Sequence, residues 1–360
     1  MKLKTNYSVL CVLLALFMLL MGACQTGSES SPTEETDMNT NDVTMAETTE
    51  GIVTTEELIP PCEEHDFALT QTVAARALAA GSHNYTCKIC GSTKSEEIPA
   101  TDRVSVLAIG NSFTQDSMQY LWELCNTAGI STVELGYLYI GGSGLENDMA
   151  NIQSGTKAYT YYKNTEGTWS TTQSSIAQAL ADNDWEIVVL RHHSIKSADP
   201  SSFAPLNSII SFIEEKKPAT KLYWHSTWAY DQDYIDRNFA DIVGDQERMY
   251  QLIVDTVQNV VLETGKFERV IPSTMAIQNM RTSYLADKMT RDGYHLSLDI
   301  GRYVAGLTWF CAITGGTPDA TDYVPVLNRQ IKLHFPAIRE AVANAIANPF
   351  EVTKSGYPTN

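Results

Sequence analysis

From Arg103 onward the chain alternates short, β-rich apolar runs with longer stretches whose apolar residues recur at helical spacing. Val104 to Ile109 reads as a first strand, after which Met118, Leu121, Trp122 and Cys125 share one helical face that Gly129 closes. Val133 to Ile140 is a second strand, ending at Gly141-Gly142, and Glu186 to Leu190 is a third. Leu206, Ile209, Ile210 and Ile213 form a helical stripe ahead of a fourth strand, Lys221 to Trp224. Met249, Leu252, Ile253, Thr256, Val257 and Val260 mark a long helix stopped by Gly265, and Arg269 to Pro272 is the fifth strand. Between the second and third strands, "YTYYKNTEGTWS" predicts a hairpin turning at Asn164 to Gly167.

Short apolar strands separated by helices imply right-handed crossovers and a parallel sheet covered on both faces. In such open sheets ligands bind beyond the carboxyl ends of the strands. Ser112, Gly141-Gly142, Arg191-His192-His193 and His225 all follow predicted strands, so they belong to one rim.

The N-terminal part has a different pattern. Lys2 and Lys4 precede an apolar run, Val9 to Leu20, and then Met21-Gly22-Ala23-Cys24. A basic start, a short apolar run and small residues before a cut describe a secretory signal peptide over residues 1–23. The cysteine after Gly-Ala resembles a bacterial lipobox, which implies cleavage before Cys24, lipidation of its thiol and a membrane anchor at that end. Residues 24–60 are rich in Ser, Thr and Glu, lack Lys and Arg, and read as a flexible acidic tether. The formal net charge is −18, which argues against nucleic acid as a partner, because phosphates demand clustered Lys and Arg.

Residues 61–100 suit a small Cys/His module. Cys62 and His65 make a C-x2-H pair, and Cys87 and Cys90 make a C-x2-C pair followed by Gly91. About 40 residues build little core, so a structural staple is expected, either tetrahedral zinc on these four side chains or a disulfide from Cys87 to Cys90 or Cys62. The segment resembles short repeats of bacterial surface proteins through His83, Tyr85, Cys87, Cys90, Gly91, Ile98, Pro99 and Ala100. Cys125 and Cys311 lie on apolar helical stripes and read as buried thiols.

Candidate chemistry sits in two distant places. "VLAIGNSFTQD" puts Ser112 at a strand-to-helix turn, where its hydroxyl is near the rim and its N–H faces the start of a helix. Far downstream, "RDGYHLSLDIGRYVAG" carries Asp292 and His295 three residues apart, before a helix striped by Ile300, Val304, Leu307 and Cys311. A turn through Gly293 lets Asp292 accept from one imidazole nitrogen and leaves the other for a serine, which needs such a base to become nucleophilic at neutral pH. The bland alternatives are an N-cap serine, a loop acid and a packed histidine.

The blocks "GNSFT", "YIGGSGLE" and "DGYHLS" resemble those of the SGNH/GDSL hydrolase superfamily, and the set extends to "DWEIVVL", "HSTWAY" and "IPSTMAIQNMRTS" in a poorly characterised bacterial branch. The likeness covers roughly residues 103 to 350. It implies a flavodoxin-like three-layer α/β/α domain over residues 101–350, with a tail at 351–360. It also implies Ser112 as nucleophile, His295 as general base and Asp292 as its orienting acid. The N–H of Ser112 and of Gly141 or Gly142 become oxyanion donors, and no cofactor is needed for catalysis. Asn111 replaces the superfamily's usual Asp. After the third strand, where the superfamily has Asn and this branch tends to Gln, stands Arg191 or His192. Either can donate, and Arg191 brings a fixed positive charge.

Trp224, Trp228, Tyr230, Tyr137 and Tyr139 read as core or as sugar-stacking rings. His192, His193 and His225 lack the spacing of a catalytic metal site. The reading is a lipid-anchored, extracytoplasmic serine esterase acting on short acyl esters, O-acetyl on carbohydrate foremost. Its rival is a glycan- or peptide-binding lipoprotein that keeps the fold without turnover.

Overall fold

A computed structural model describes residues 62–358. The expected signal peptide, Cys24 anchor and tether all lie outside the described residues.

The description begins with a three-stranded antiparallel sheet: β1 (Phe67–Val73), β2 (Gly81–Cys87) and β3 (Thr93–Ile98), in the order β1-β2-β3. Its side chains are mostly exposed, so it has almost no apolar core of its own. The loop between β1 and β2 rests on the C-terminal end of the helix Ile300–Thr314, where Leu78 N–H donates to Thr314 O at 2.8 Å.

The larger sheet has seven strands: β4 (Arg103–Gly110), β5 (Thr132–Tyr139), β6 (Tyr159–Asn164), β7 (Ser170–Ser174), β8 (Ile187–Leu190), β9 (Lys221–His225) and β10 (Phe267–Ile271). Their order is β10-β9-β8-β4-β5-β6-β7, and β10, β9, β8, β4 and β5 are mutually parallel. Taken alone, the parallel strands run second, first, third, fourth, fifth across the sheet, the flavodoxin-like order. The predicted hairpin is β6–β7, which pairs antiparallel to β5 and widens that edge.

The central strands β4, β8 and β9 are buried on both faces, which is why they read as near-continuous apolar runs. In β4, Val106 and Ala108 face one core with Met118, Leu121 and Trp309, whereas Leu107 and Ile109 face a second with Leu145, Ile209 and Trp224. Helices therefore cover both sides, giving three layers. The chain reverses its direction of travel across the sheet between β4 and β8. That switch point opens a crevice at the carboxyl end of the sheet.

The predicted helix after β4 is broken into Ser112–Met118 and Leu121–Thr127, and the one before Gly265 passes into a π-helical turn at Val257–Val261. Cys125 and Cys311 are buried thiols, as their stripes predict.

Candidate active site

The crevice is a cleft of about 310 Å³, lined among others by Ser112, Gly141, Gly142, His193, Tyr294 and His295. β4 ends at Gly110, and Asn111 caps the following helix by accepting from Phe113 N–H at 3.0 Å. The same side chain donates its amide N–H to Ser143 O at 3.0 Å. An ionised aspartate at 111 would have no proton for that carbonyl, so the contact calls for the amide of asparagine.

The chain places Ser112 at the first position of this helix, with its Oγ 2.9 Å from His295 Nε2. His295 Nδ1 lies 2.7 Å from Asp292 Oδ2, and Asp292 Oδ1 accepts from the His295 N–H at 2.8 Å and the Tyr294 N–H at 3.3 Å. Partial burial pushes the Asp292 carboxyl up. The bonds from the His295 ring and the two amides outweigh it and hold the group below its ordinary value, so it is an anion at neutral pH. Gly293 takes φ +97°, and a Cβ there would meet the Tyr234 side chain at 2.6 Å, so this turn needs glycine.

Beyond β5, Ser143 N–H donates to Ile140 O at 3.2 Å, closing a turn with Gly141 and Gly142 at its centre. Gly142 has φ +66°, the value a type II turn demands at its third residue. Among the described residues neither glycine N–H has a protein acceptor, and both glycines line the cleft beside Ser112.

The structure corrects the reading of the third block. Arg191 is 1% exposed; it donates to Asp148 Oδ2 at 2.8 Å and to Ser143 Oγ at 2.6 Å, beneath the glycine turn. His192 is buried too, with its ring between Leu145 N–H at 3.2 Å and Ser202 Oγ at 2.8 Å. Neither lines the cleft, because the chain leaving β8 turns both inward to satisfy buried polar groups. The next residue, His193, does line it, and its Nε2 would lie 3.9 Å from a Cβ on Gly142. Burial, then the nearby Arg191 charge, lower the affinity of His193 for a second proton, so the ring is neutral at pH 7. Sequence reasoning put all three residues on the rim and chose Arg191 or His192 for the oxyanion role, because spacing alone does not say which of three consecutive polar residues faces out.

Of the aromatic candidates, Trp224, Trp228, Tyr230 and Tyr137 are buried, whereas Tyr139 is half-buried at the cleft. Tyr294, a further lining ring, lies with its centroid 4.1 Å from that of the His295 imidazole. Its place beside His295 in the chain was the only available signal.

In the small sheet, the ligand atoms of Cys62, His65, Cys87 and Cys90 all lie within 4.8 Å of one another. The Cys62 and Cys87 sulfurs are 3.9 Å apart, and Cys90 Sγ is 3.3 Å from His65 Nδ1. A disulfide requires about 2.05 Å, whereas the edge of a zinc tetrahedron with bonds of 2.0–2.3 Å is about 3.3–3.8 Å. The donor set therefore fits a four-coordinate metal with no position left for a substrate.

The profile of a family described as "Domain of unknown function (DUF4886)" matches residues 105–332. A DUF4886 family protein of known structure from Bacteroides uniformis is 39% identical, covers 70% of this chain and 98% of its own, and superposes with a TM-score of 0.66. A proposed SGNH hydrolase from Slackia heliotrinireducens (20% identity, 59% of this chain and 100% of its own) gives a TM-score of 0.40. A proposed GDSL-like lipase from Parabacteroides merdae (13%, 59% and 95%) gives 0.38. No curated protein matches the chain.

Proposed function

This chain belongs to the DUF4886 family, and on that premise we propose that it is a serine esterase that cleaves short acyl esters through an acyl-enzyme. The observation that carries this reading is the unbroken chain of contacts from Ser112 Oγ through the His295 ring to the Asp292 carboxylate, opening on a cleft beside unpaired glycine amides. A packed histidine or a capping serine has no need of all three.

In the proposed cycle His295 Nε2 takes the hydroxyl proton as Ser112 Oγ attacks the ester carbonyl carbon. The imidazolium is stabilised by anionic Asp292, which also fixes the ring so that Nδ1 carries its proton. The oxyanion of the tetrahedral intermediate faces the amides of Ser112 and Gly142 and the His193 ring. His193 Nδ1 is buried without a partner, and an orphaned acceptor costs less than an orphaned N–H, so the ring proton belongs on Nε2, toward the glycine turn. Collapse expels the alcohol, which leaves with the proton from His295. Water then attacks the acyl-enzyme with the same residue as base, and the acid product departs.

A cleft of about 310 Å³ lies at the small end of ligand sites, which supports a short acyl group. Tyr139 and Tyr294 offer ring faces to a sugar, so an O-acetylated carbohydrate is the favoured substrate. The lipid-anchored, extracytoplasmic location remains part of the proposal and rests on residues 1–24 alone. The small sheet is proposed as a structural zinc module.

The test is fluorophosphonate labelling together with hydrolysis of p-nitrophenyl acetate by wild type and Ser112→Ala. Labelling that maps to Ser112 and hydrolysis lost in the variant support the esterase. A wild type that does neither favours the non-catalytic glycan or peptide binder.

A further inference from the structure

The three proposed catalytic groups come from two separate pieces of chain, and something must set the distance between them. Asp292 and His295 sit on a loop that is stiff within itself. Arg291 N–H donates to His295 O at 2.9 Å, Thr290 and Leu296 form a β-bridge, and Asp292 caps two amides of its own turn. That internal order fixes the acid to the base. It does not fix either of them to Ser112, which rides on the helix Ser112–Met118.

We infer that Asp116 is the positioning residue that locks the acid–base loop to the nucleophile's helix. Asp116 lies four residues after Ser112, on the same face of that helix. Its carboxylate is 1% exposed. Oδ2 accepts the Leu296 N–H at 2.9 Å, the amide immediately after His295. Oδ1 accepts from Arg302 Nε at 2.8 Å and lies 2.7 Å from a second Arg302 nitrogen, and Arg291 Nη1 reaches both oxygens at 3.3 Å. Arg291 also donates to Leu296 O, so the guanidinium and the carboxylate grip the N–H and the carbonyl of one residue of the loop.

A buried carboxylate is costly unless its lone pairs are filled. Here they are filled by the backbone and flanking arginine of the loop and by the first turn of the helix that follows it. Other bonds that hold the loop come from elsewhere, among them Trp228 Nε1 donating to Tyr294 O at 2.7 Å and Asp231 N–H donating to Gly293 O at 2.8 Å. Those anchor its far side. Asp116 alone among these groups shares a helix with Ser112, so it transmits the position of the hydroxyl to the imidazole. Asp116 touches no reacting atom and is not itself catalytic.

This inference rests on the esterase reading, and its test separates the two. Asp116→Asn keeps the shape of the side chain and an acceptor, but loses the charge that holds the arginines. Misplacement by about 1 Å costs about 100-fold, so kcat and fluorophosphonate labelling are expected to fall about 10- to 100-fold while KM changes little. In crystals of the variant, His295 Nε2 is expected beyond hydrogen-bond reach of Ser112 Oγ, with the Asp292–His295 bond kept. A purely structural role would lower stability without separating kcat from KM. Should Asp116→Asn fail to fold, Arg302→Lys, which keeps the charge but loses the fork, is expected to show the same split more weakly. A folded variant with wild-type labelling and an unmoved imidazole overturns the inference. If the wild type is itself inert, the esterase reading fails, and the imidazole position in the variant crystal decides the clamp by itself.

Discussion

His295 Nε2 stands 2.9 Å from Ser112 Oγ although 183 residues separate them in the chain. The serine arrives on the turn after the first parallel strand, and the histidine on a loop held between the helices that flank one face of the sheet. The contact is a product of topology: the crossover that reverses direction at β4 and β8 leaves the crevice in which they meet.

In the proposed cycle the neutral His193 ring donates to the oxyanion beside the glycine turn. His193→Ala is expected to lower kcat by about 10²–10³-fold, the usual effect of losing one oxyanion donor, with Ser112 still labelled by a fluorophosphonate. Steady-state kinetics on p-nitrophenyl acetate check it. A kcat within threefold of wild type would leave the amides as the sole donors.

The buried Arg191–Asp148 pair, with side chains 1% and 0% exposed, supports the glycine turn through Ser143. Asp148 also accepts from the Tyr159 hydroxyl at 2.8 Å. Asp148→Asn strands the guanidinium as an unpaired buried charge and is expected to cost about 3–5 kcal/mol of stability. Denaturant unfolding measures it, and a loss below about 1 kcal/mol would mean the pair is not sealed from water.

Two fully buried histidines predict acid sensitivity. Burial first, then the charge of Arg191, bring His192 and His225 from 6.5 down to about 3 in the folded protein. The unfolded chain therefore takes up two protons that the folded one refuses between about pH 6.5 and 3. Their stabilising contribution is complete above pH 6.5 and is lost as pH falls, with a slope of about 2.7 kcal/mol per pH unit in the middle of that window. Unfolding free energies from pH 8 to 4, compared between wild type and His192→Gln, test the sign. A variant with an undiminished slope would exonerate His192.

The four-ligand cluster predicts stoichiometric zinc in the purified protein and reduced thiols at Cys62, Cys87 and Cys90. Chelation is expected to lower the melting temperature of the small sheet, which has little apolar core to hold it. Elemental analysis with thiol titration checks this, and a zinc-free protein with oxidised cysteines would point to the disulfide instead.

Much of the molecule was legible from local pattern. The central strands of the parallel sheet are buried on both faces, so Val106–Ile109 and Ile187–Leu190 had to be continuously apolar, and the β6–β7 hairpin announced itself through its turn residues. Asp292 and His295 were readable as a pair because an i, i+3 turn through a glycine is a local arrangement. The Cys/His spacing picked out the four side chains that the structure brings together for the same reason.

What the chain by itself left open is everything that depends on which way a side chain turns after its strand ends. Arg191, His192 and His193 are adjacent and all polar, yet the first two go inward to pair with Asp148, Leu145 N–H and Ser202, and only the third reaches the cleft. Asp116 carried no signal at all, since its partners lie some 180 residues away at Leu296 and Arg302. Sequence determines local geometry through periodicity and turn chemistry, whose causes lie within a few residues. The partner of a buried charge is chosen by packing across the whole fold, because desolvation forces each such group to find whatever the completed core brings within reach.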